Sequence, residues 1–244
     1  PISLGKPYMA ATVKHNATTL LESGVTTIRT LGDVGYEVVT LRDQIDAGQI
    51  LGPRILASGP LMAIPEGHGA PLIALTSGTP EEARTAVAQN LKAGVNAIKI
   101  AATGITDIQL ENSKNVVGGM VSGARQAHEA GLMIGVGTDT GMTFVPQYAT
   151  WRELELLVAY AGFSPAEALH AATAVNASIL GVDAETGSLE VGKSADLLVL
   201  NANPLDDLRA LEHPALVIAA GRPVWRPGPK RFADIDALLD EAYA

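Results

Sequence analysis

Cysteine is absent from the 244 residues, which excludes disulfides and thiolate ligands and leaves His, Asp, Glu and modified Lys as the side chains able to hold a metal. Aromatic residues make up only 4%, so the core has to be built from Ala, Val, Leu, Ile and Gly, a composition that suits helices packed closely on a parallel sheet. Positive charge is in deficit, and a formal net charge of -9 argues against a nucleic-acid partner or an anionic membrane surface. No apolar run approaches the roughly 20 residues of a membrane span, and no signal peptide is visible, so a cytoplasmic protein is expected. A phosphate-binding Gly-x-x-x-x-Gly-Lys-Ser/Thr loop is also lacking; Gly192-Lys193-Ser194 has no glycine at the required upstream spacing.

With 47% hydrophobic residues, the chain can bury one sizeable core with a small appended subdomain. Helix and strand patterns alternate: helices over 7–23, 36–48 and 80–93, strands over 25–30, 53–58 and 95–101. Thr79-Pro80-Glu81-Glu82 is a helix start with a capping hydroxyl, proline at the first position and acidic residues in the first turn. Helix followed by strand at this spacing predicts parallel pairing through right-handed crossovers. A helix is expected over 116–130, two β-like runs over 195–200 and 215–220, and a terminal amphipathic helix over 232–243 with Phe232, Ile235, Leu238 and Leu239 on one face.

Residues 131–141, Gly-Leu-Met-Ile-Gly-Val-Gly-Thr-Asp-Thr-Gly, form a short apolar run that breaks into glycines and delivers one carboxylate, Asp139. Read as a buried strand, the run puts Asp139 at a strand's carboxyl end, where α/β barrels carry their chemistry; the alternative is an Asp capping the next helix. Lys99, inside the apolar run 95–101, is a costly cation unless neutralised or paired. His68 lies between Gly67 and Gly69, whose freedom lets a backbone bring a side chain close to a ligand; a loop His bonded to backbone is the alternative. Arg29 and Asp33 stand at the end of the second strand, and an internal Arg–Asp pair explains them as well as a site does. His15, His128, His170 and His213 fall in helical or loop text and read as structural.

The order Thr-Asp139-Thr-Gly, then Ser164-Pro-Ala-Glu-Ala-Leu and Ala171-Ala-Thr, then Gly187-Ser-Leu-Glu-Val-Gly-Lys-Ser-Ala-Asp-Leu-Leu-Val-Leu200, resembles the amidohydrolase superfamily. Gly24–Asp33, Gly52–Gly59, Gly67-His-Gly69 and Ala93–Ile100 are similar to it too, and the branch most resembled is that of imidazolonepropionase-like and Xaa-Pro dipeptidase (prolidase) enzymes. The resemblance implies an α/β fold, a (β/α)8 barrel over 1–181, with a small flanking β-sandwich subdomain over 182–231 and a C-terminal helix over 232–244. It implies metal-dependent hydrolysis of an amide or peptide bond, with an Xaa-Pro dipeptide or other small molecule as substrate, no nucleic-acid or membrane partner, and a homo-oligomeric assembly. One or two divalent ions are implied, zinc by ligand chemistry. Lys99, carboxylated by CO2, and Asp139 would be ligands, Asp139 also the proton carrier, and His68 and Arg29 substrate contacts. A cyclic amidase or deaminase of the same superfamily and a non-catalytic ligand-binding barrel are the alternatives.

The departures are as specific as the match. The family pattern holds its metals with a His-x-His pair, the bridging Lys, one His from each of strands five and six, and the Asp; this chain has no His-x-His. Only 40 positions separate Lys99 from Asp139, and a βα unit alone takes about 30. Strands five to seven therefore have no text, and the barrel portion is about 180 residues against about 250 for an ordinary barrel of this kind. Two explanations follow. Stretches of a longer polypeptide are missing before Pro1 and near Gly104-Ile105, with a chain break expected at the latter, or the barrel is degenerate; the open core left by deleted strands favours the first.

Overall fold

The computed structural model describes residues 5–70, 73–101, 108–141, 144–225 and 228–242; the expected break at Gly104-Ile105 lies outside them. The chain divides into two compact units, one of residues 1–18 and 27–115, the other of residues 19–26 and 116–244. Among the described residues no helix is long and apolar enough to cross a membrane.

The first unit is an α/β assembly of parallel strands. Helix α1 (Lys6–Glu22) begins in it and is followed by β1 (Thr27–Arg29), α2 (Glu37–Asp46), β2 (Arg54–Leu56), β3 (Leu61–Ala63), β4 (Ala74–Thr76) and α3 (Pro80–Lys92). β1 pairs parallel with β2 and β3 parallel with β4. The predicted strand over 95–101 is reduced to one parallel pairing of Ile100 with Met62, with Asn96 N donating to Ala57 O, Met62 N to Lys99 O and Ala101 N to Met62 O. The apolar faces of α1 and α2 meet these strands in a core of Ala17, Val38, Val39, Leu41, Ile55 and Ala57. The cap read at Thr79 forms in full: its side chain accepts from Glu82 N, and the Glu82 carboxylate accepts from Thr79 N.

The second unit holds the rest of α4 (Ile108–Glu129), then α5 (Thr150–Ala161) and a long helix in three parts: α6 (Pro165–His170), a π turn at Ala171–Val175 and α7 (Asn176–Leu180). Strands β5 (Leu197–Val199), β6 (Leu216–Ala219) and β7 (Arg222–Val224) form an antiparallel sheet in that order, and α8 (Ala233–Ala242) follows. The core here is Leu154, Ala161, Phe163, Ala168, Ala171 and Leu208. The β6–β7 hairpin turns on Ala220 (φ 49°) and Gly221 (φ 75°), the left-handed pair that matches strand twist. Asp196 fastens the sheet, accepting from Thr186 Oγ1 at 2.8 Å and from Ala220 N at 2.7 Å.

α8 differs from its sequence reading. Leu239 is buried, but Phe232 and Leu238 are exposed, because charge rather than an apolar stripe ties this helix down. Arg152 donates to Asp240 at 2.8 Å, and Arg231 contacts both Asp236 and Glu212. Next to Arg152, Trp151 is buried with the guanidinium carbons of Arg152 and Arg209 at 4.4 and 5.0 Å from its ring centre, within cation–π range.

Candidate active site

Among the described residues Asp139 ends no paired strand, although Thr140 beside it stands in a β-bridge. Residues 132–139 form no ladder among the described residues, and the run is only half-buried around Ile134–Val136, with Leu132 and Met133 exposed. Its neighbour is a side chain: the Asn176 amide accepts from Val136 N at 2.9 Å and donates to Val136 O at 3.0 Å, giving one residue the two bonds a flanking strand would supply. Gly135 makes this approach possible, since a Cβ there would lie 2.4 Å from Asn176 Oδ1. Asp139 is exposed and has φ 50°, a left-handed conformation that Asp tolerates better than most residues. It does not cap the following helix, whose N-cap, Ala149, has no side-chain bond. On either side of it, Thr138 Oγ1 accepts from Thr140 N and Thr140 Oγ1 donates to Val145 O.

Arg29, His68 and Lys99 belong to the first unit. Lys99 is half-buried, so the burial that made it costly in the sequence is incomplete, and Ile100 beside it is exposed. His68 is half-buried in a turn. The flanking glycines serve that turn: Gly69 has φ 78°, and a Cβ on Gly67 would sit 2.8 Å from Ile64 O. Arg29 is exposed at the end of β1, whereas Asp33 is buried and accepts from Val34 N at 2.7 Å and Val38 N at 2.9 Å. Asp33 therefore caps α2 and is not the partner of Arg29. Burial pushes its carboxyl above the ordinary range, against the backbone bonds that pull it down.

His128 stacks on Phe163 with ring centres 3.9 Å apart and lies 3.9 Å from Glu167. The Glu167 carboxyl is lowered first by its bond from Ser164 in a second capping box.

The family model for amidohydrolases matches residues 6–117 and 107–224 of the chain. The chain belongs to the amidohydrolase family. It is similar to a candidate prolidase from Bifidobacterium longum, at 71% identity over 97% of this chain and 82% of that one, with a TM-score of 0.91. A Xaa-Pro dipeptidase with methionine bound in its active site shares the fold at 23% identity and a TM-score of 0.77, over 90% of this chain and 80% of that one. Imidazolonepropionase of Symbiobacterium thermophilum is 41% identical over 78 residues, which are 32% of this chain and 18% of that enzyme. The chain spans about a fifth of the length of the curated relatives it matches. These neighbours imply a TIM-barrel-like fold.

Members of this superfamily generally use a divalent metal. All five histidines lie among the described residues, yet no three His, Cys, Asp or Glu side chains there converge as a metal site would require. Asn176 is the residue that the sequence reading missed. Its signal was present: an Asn inside an alanine-rich helix, where its amide competes with the backbone.

Proposed function

We propose that the chain is a hydrolase of amide or peptide bonds of the prolidase type, acting on an Xaa-Pro dipeptide, with Asp139 as its proton-carrying carboxylate. The observation that carries this reading is the likeness to the candidate prolidase along 97% of the chain. Asp139, solvent-facing on a run fastened at Val136, has the chemistry to accept a proton from the attacking water and pass it to the leaving nitrogen. The same reading takes in an amidohydrolase-like (β/α)8 barrel over 1–181 in which strands five to seven have no text, a β subdomain over 182–231 and a C-terminal helix, with His68 and Arg29 as substrate contacts. It also takes in a homo-oligomer and a cytoplasmic setting.

Its metal component, one or two zinc ions with Lys99 carboxylated, rests on the resemblance, which assigns Lys99 and Asp139 as ligands and finds no counterpart here for its histidines. A second reading, cyclic-amide hydrolysis, is favoured by the imidazolonepropionase match.

The test is hydrolysis of Xaa-Pro dipeptides and of an imidazolone ring, with metal analysis of the same protein. Asp139→Asn keeps the size of the side chain and removes its basicity, so a folded variant is expected to lose about a thousandfold in kcat. Lys99→Ala is expected to lower metal content first and activity as a consequence. Full activity in the Asn variant would end the role given to Asp139. A protein that takes up no metal when supplemented and hydrolyses neither substrate is a ligand-binding member of the family.

A further inference from the structure

Three observations in the second unit converge on one side chain. The run leading to Asp139 has no backbone ladder among the described residues, and Val136 N and O are both bonded to the Asn176 amide. Asn176 follows directly on the π turn Ala171–Val175, an uncommon helix geometry that is often associated with functional sites. Asp139 itself holds a left-handed backbone, which costs free energy unless its surroundings over-determine it. Between Val136 and Asp139 lie only Gly137 and Thr138, so among the described residues the amide pair is the last long-range contact before the carboxylate, ahead of the local bond from Thr140 N to Thr138 Oγ1.

We propose that Asn176 is a positioning residue for Asp139: its amide acts as a one-residue strand that fixes where the run ends and where the Asp139 carboxylate is presented. The proposal rests on the reading of Asp139 as the proton carrier, but the placement it describes can be observed without turnover. A side chain serves here because the amide carries both a donor and an acceptor; shape alone is insufficient. A carboxylate of the same shape accepts from Val136 N but sets a negative oxygen against Val136 O.

The experiment compares the 244-residue protein with Asn176→Asp and Asn176→Leu at neutral pH, below the onset of thermal unfolding. Amide hydrogen exchange at Val136 and the backbone amide NMR signals of Asp139 and Thr140 are read in each, together with kcat and KM for an Xaa-Pro dipeptide. In Asn176→Asp, exchange at Val136 is expected to rise about tenfold or more as one bond of the pair is replaced by repulsion. The Asp139 signal should move, and kcat should fall about tenfold to a hundredfold with KM changed less than threefold, the pattern of a misplaced catalytic group. An unmoved Asp139 signal alongside raised Val136 exchange would overturn the proposal, since the clamp would then hold the run without placing its end. Unchanged kcat in an active enzyme would overturn it too. Wild-type protein that hydrolyses no Xaa-Pro dipeptide defeats the proposed function instead, and the Asp139 signal then decides the placement alone. If Asn176→Leu does not fold, Asn176→Asp carries the comparison.

Discussion

Lys99 lies inside one apolar run and Asp139 closes another, and the two runs are fastened by different means. The Lys99 run is held by backbone bonds at Ala57 and Met62, whereas among the described residues the Asp139 run is held at Val136 by a single side chain. Backbone bonds at two residues share the holding of the first run; a clamp concentrates it in one amide and in the glycine that lets the amide approach. The contrast also separates two kinds of tolerance. Side-chain changes in the first run leave its backbone bonds in place, while changes at Gly135 or Asn176 reach the second run's fixed point directly.

The sharpest way to break the comparison is Gly135→Ala. The added Cβ meets Asn176 Oδ1 at 2.4 Å and Ile179 Cδ1 at 2.8 Å, and overpacking of this kind costs about 2–3 kcal/mol. Urea unfolding with a constant m-value checks it; a loss under about 0.5 kcal/mol would show that the clamp gives way freely. A smaller effect is expected on the Lys99 run. Asn96 Oδ1 accepts from Ala57 N at 3.0 Å and from Arg42 Nη1 at 2.8 Å, and Asn96→Ala removes these while sparing the Asn96 N to Ala57 O bond. The cost should be about 1 kcal/mol, and a value above that for Gly135→Ala reverses the ranking of the two runs.

The smallest effect extends the comparison to pH. Burial raises the Asp33 carboxyl, so its contribution to stability is fully present below the unfolded value and declines as pH rises through the folded one. Asp240 is lowered, first by the bond from Arg152, so its contribution is present above the unfolded value and is lost as pH falls through the folded one. On acidification across the carboxylate range, hydrogen exchange should therefore rise in α8 before it rises in α2. The opposite order would show that Asp240 does not hold α8.

Much of the fold was legible where local chemistry decides it. The Thr79 capping box, the boundaries of α1, α2 and α3, and the strands within 195–200 and 215–220 follow from caps, periodicity and turn residues that act within a few positions. The runs over 95–101 and 131–137 carry equally good strand text and form almost no ladder, because a strand needs a partner edge and pairing is not encoded in the run itself. The candidate site divides in the same way. Asp139 stands out from its flanking glycines, but Asn176 acts across 40 positions of sequence, and a π turn in Ala-Ala-Thr-Ala-Val has no local signature that distinguishes it from ordinary helix.

The burial of Trp151 against two guanidinium groups has a use of its own. The other tryptophan, Trp225, is 82% exposed, while Trp151 is 3% exposed, so the two indoles differ widely in solvent contact. Emission from Trp225 is open to a water-soluble quencher and that from Trp151 is shielded. Fluorescence recorded with and without iodide therefore separates the sheet edge from the α5 region in a single unlabelled sample, and loosening of α8 becomes visible as a second, initially hidden emitter.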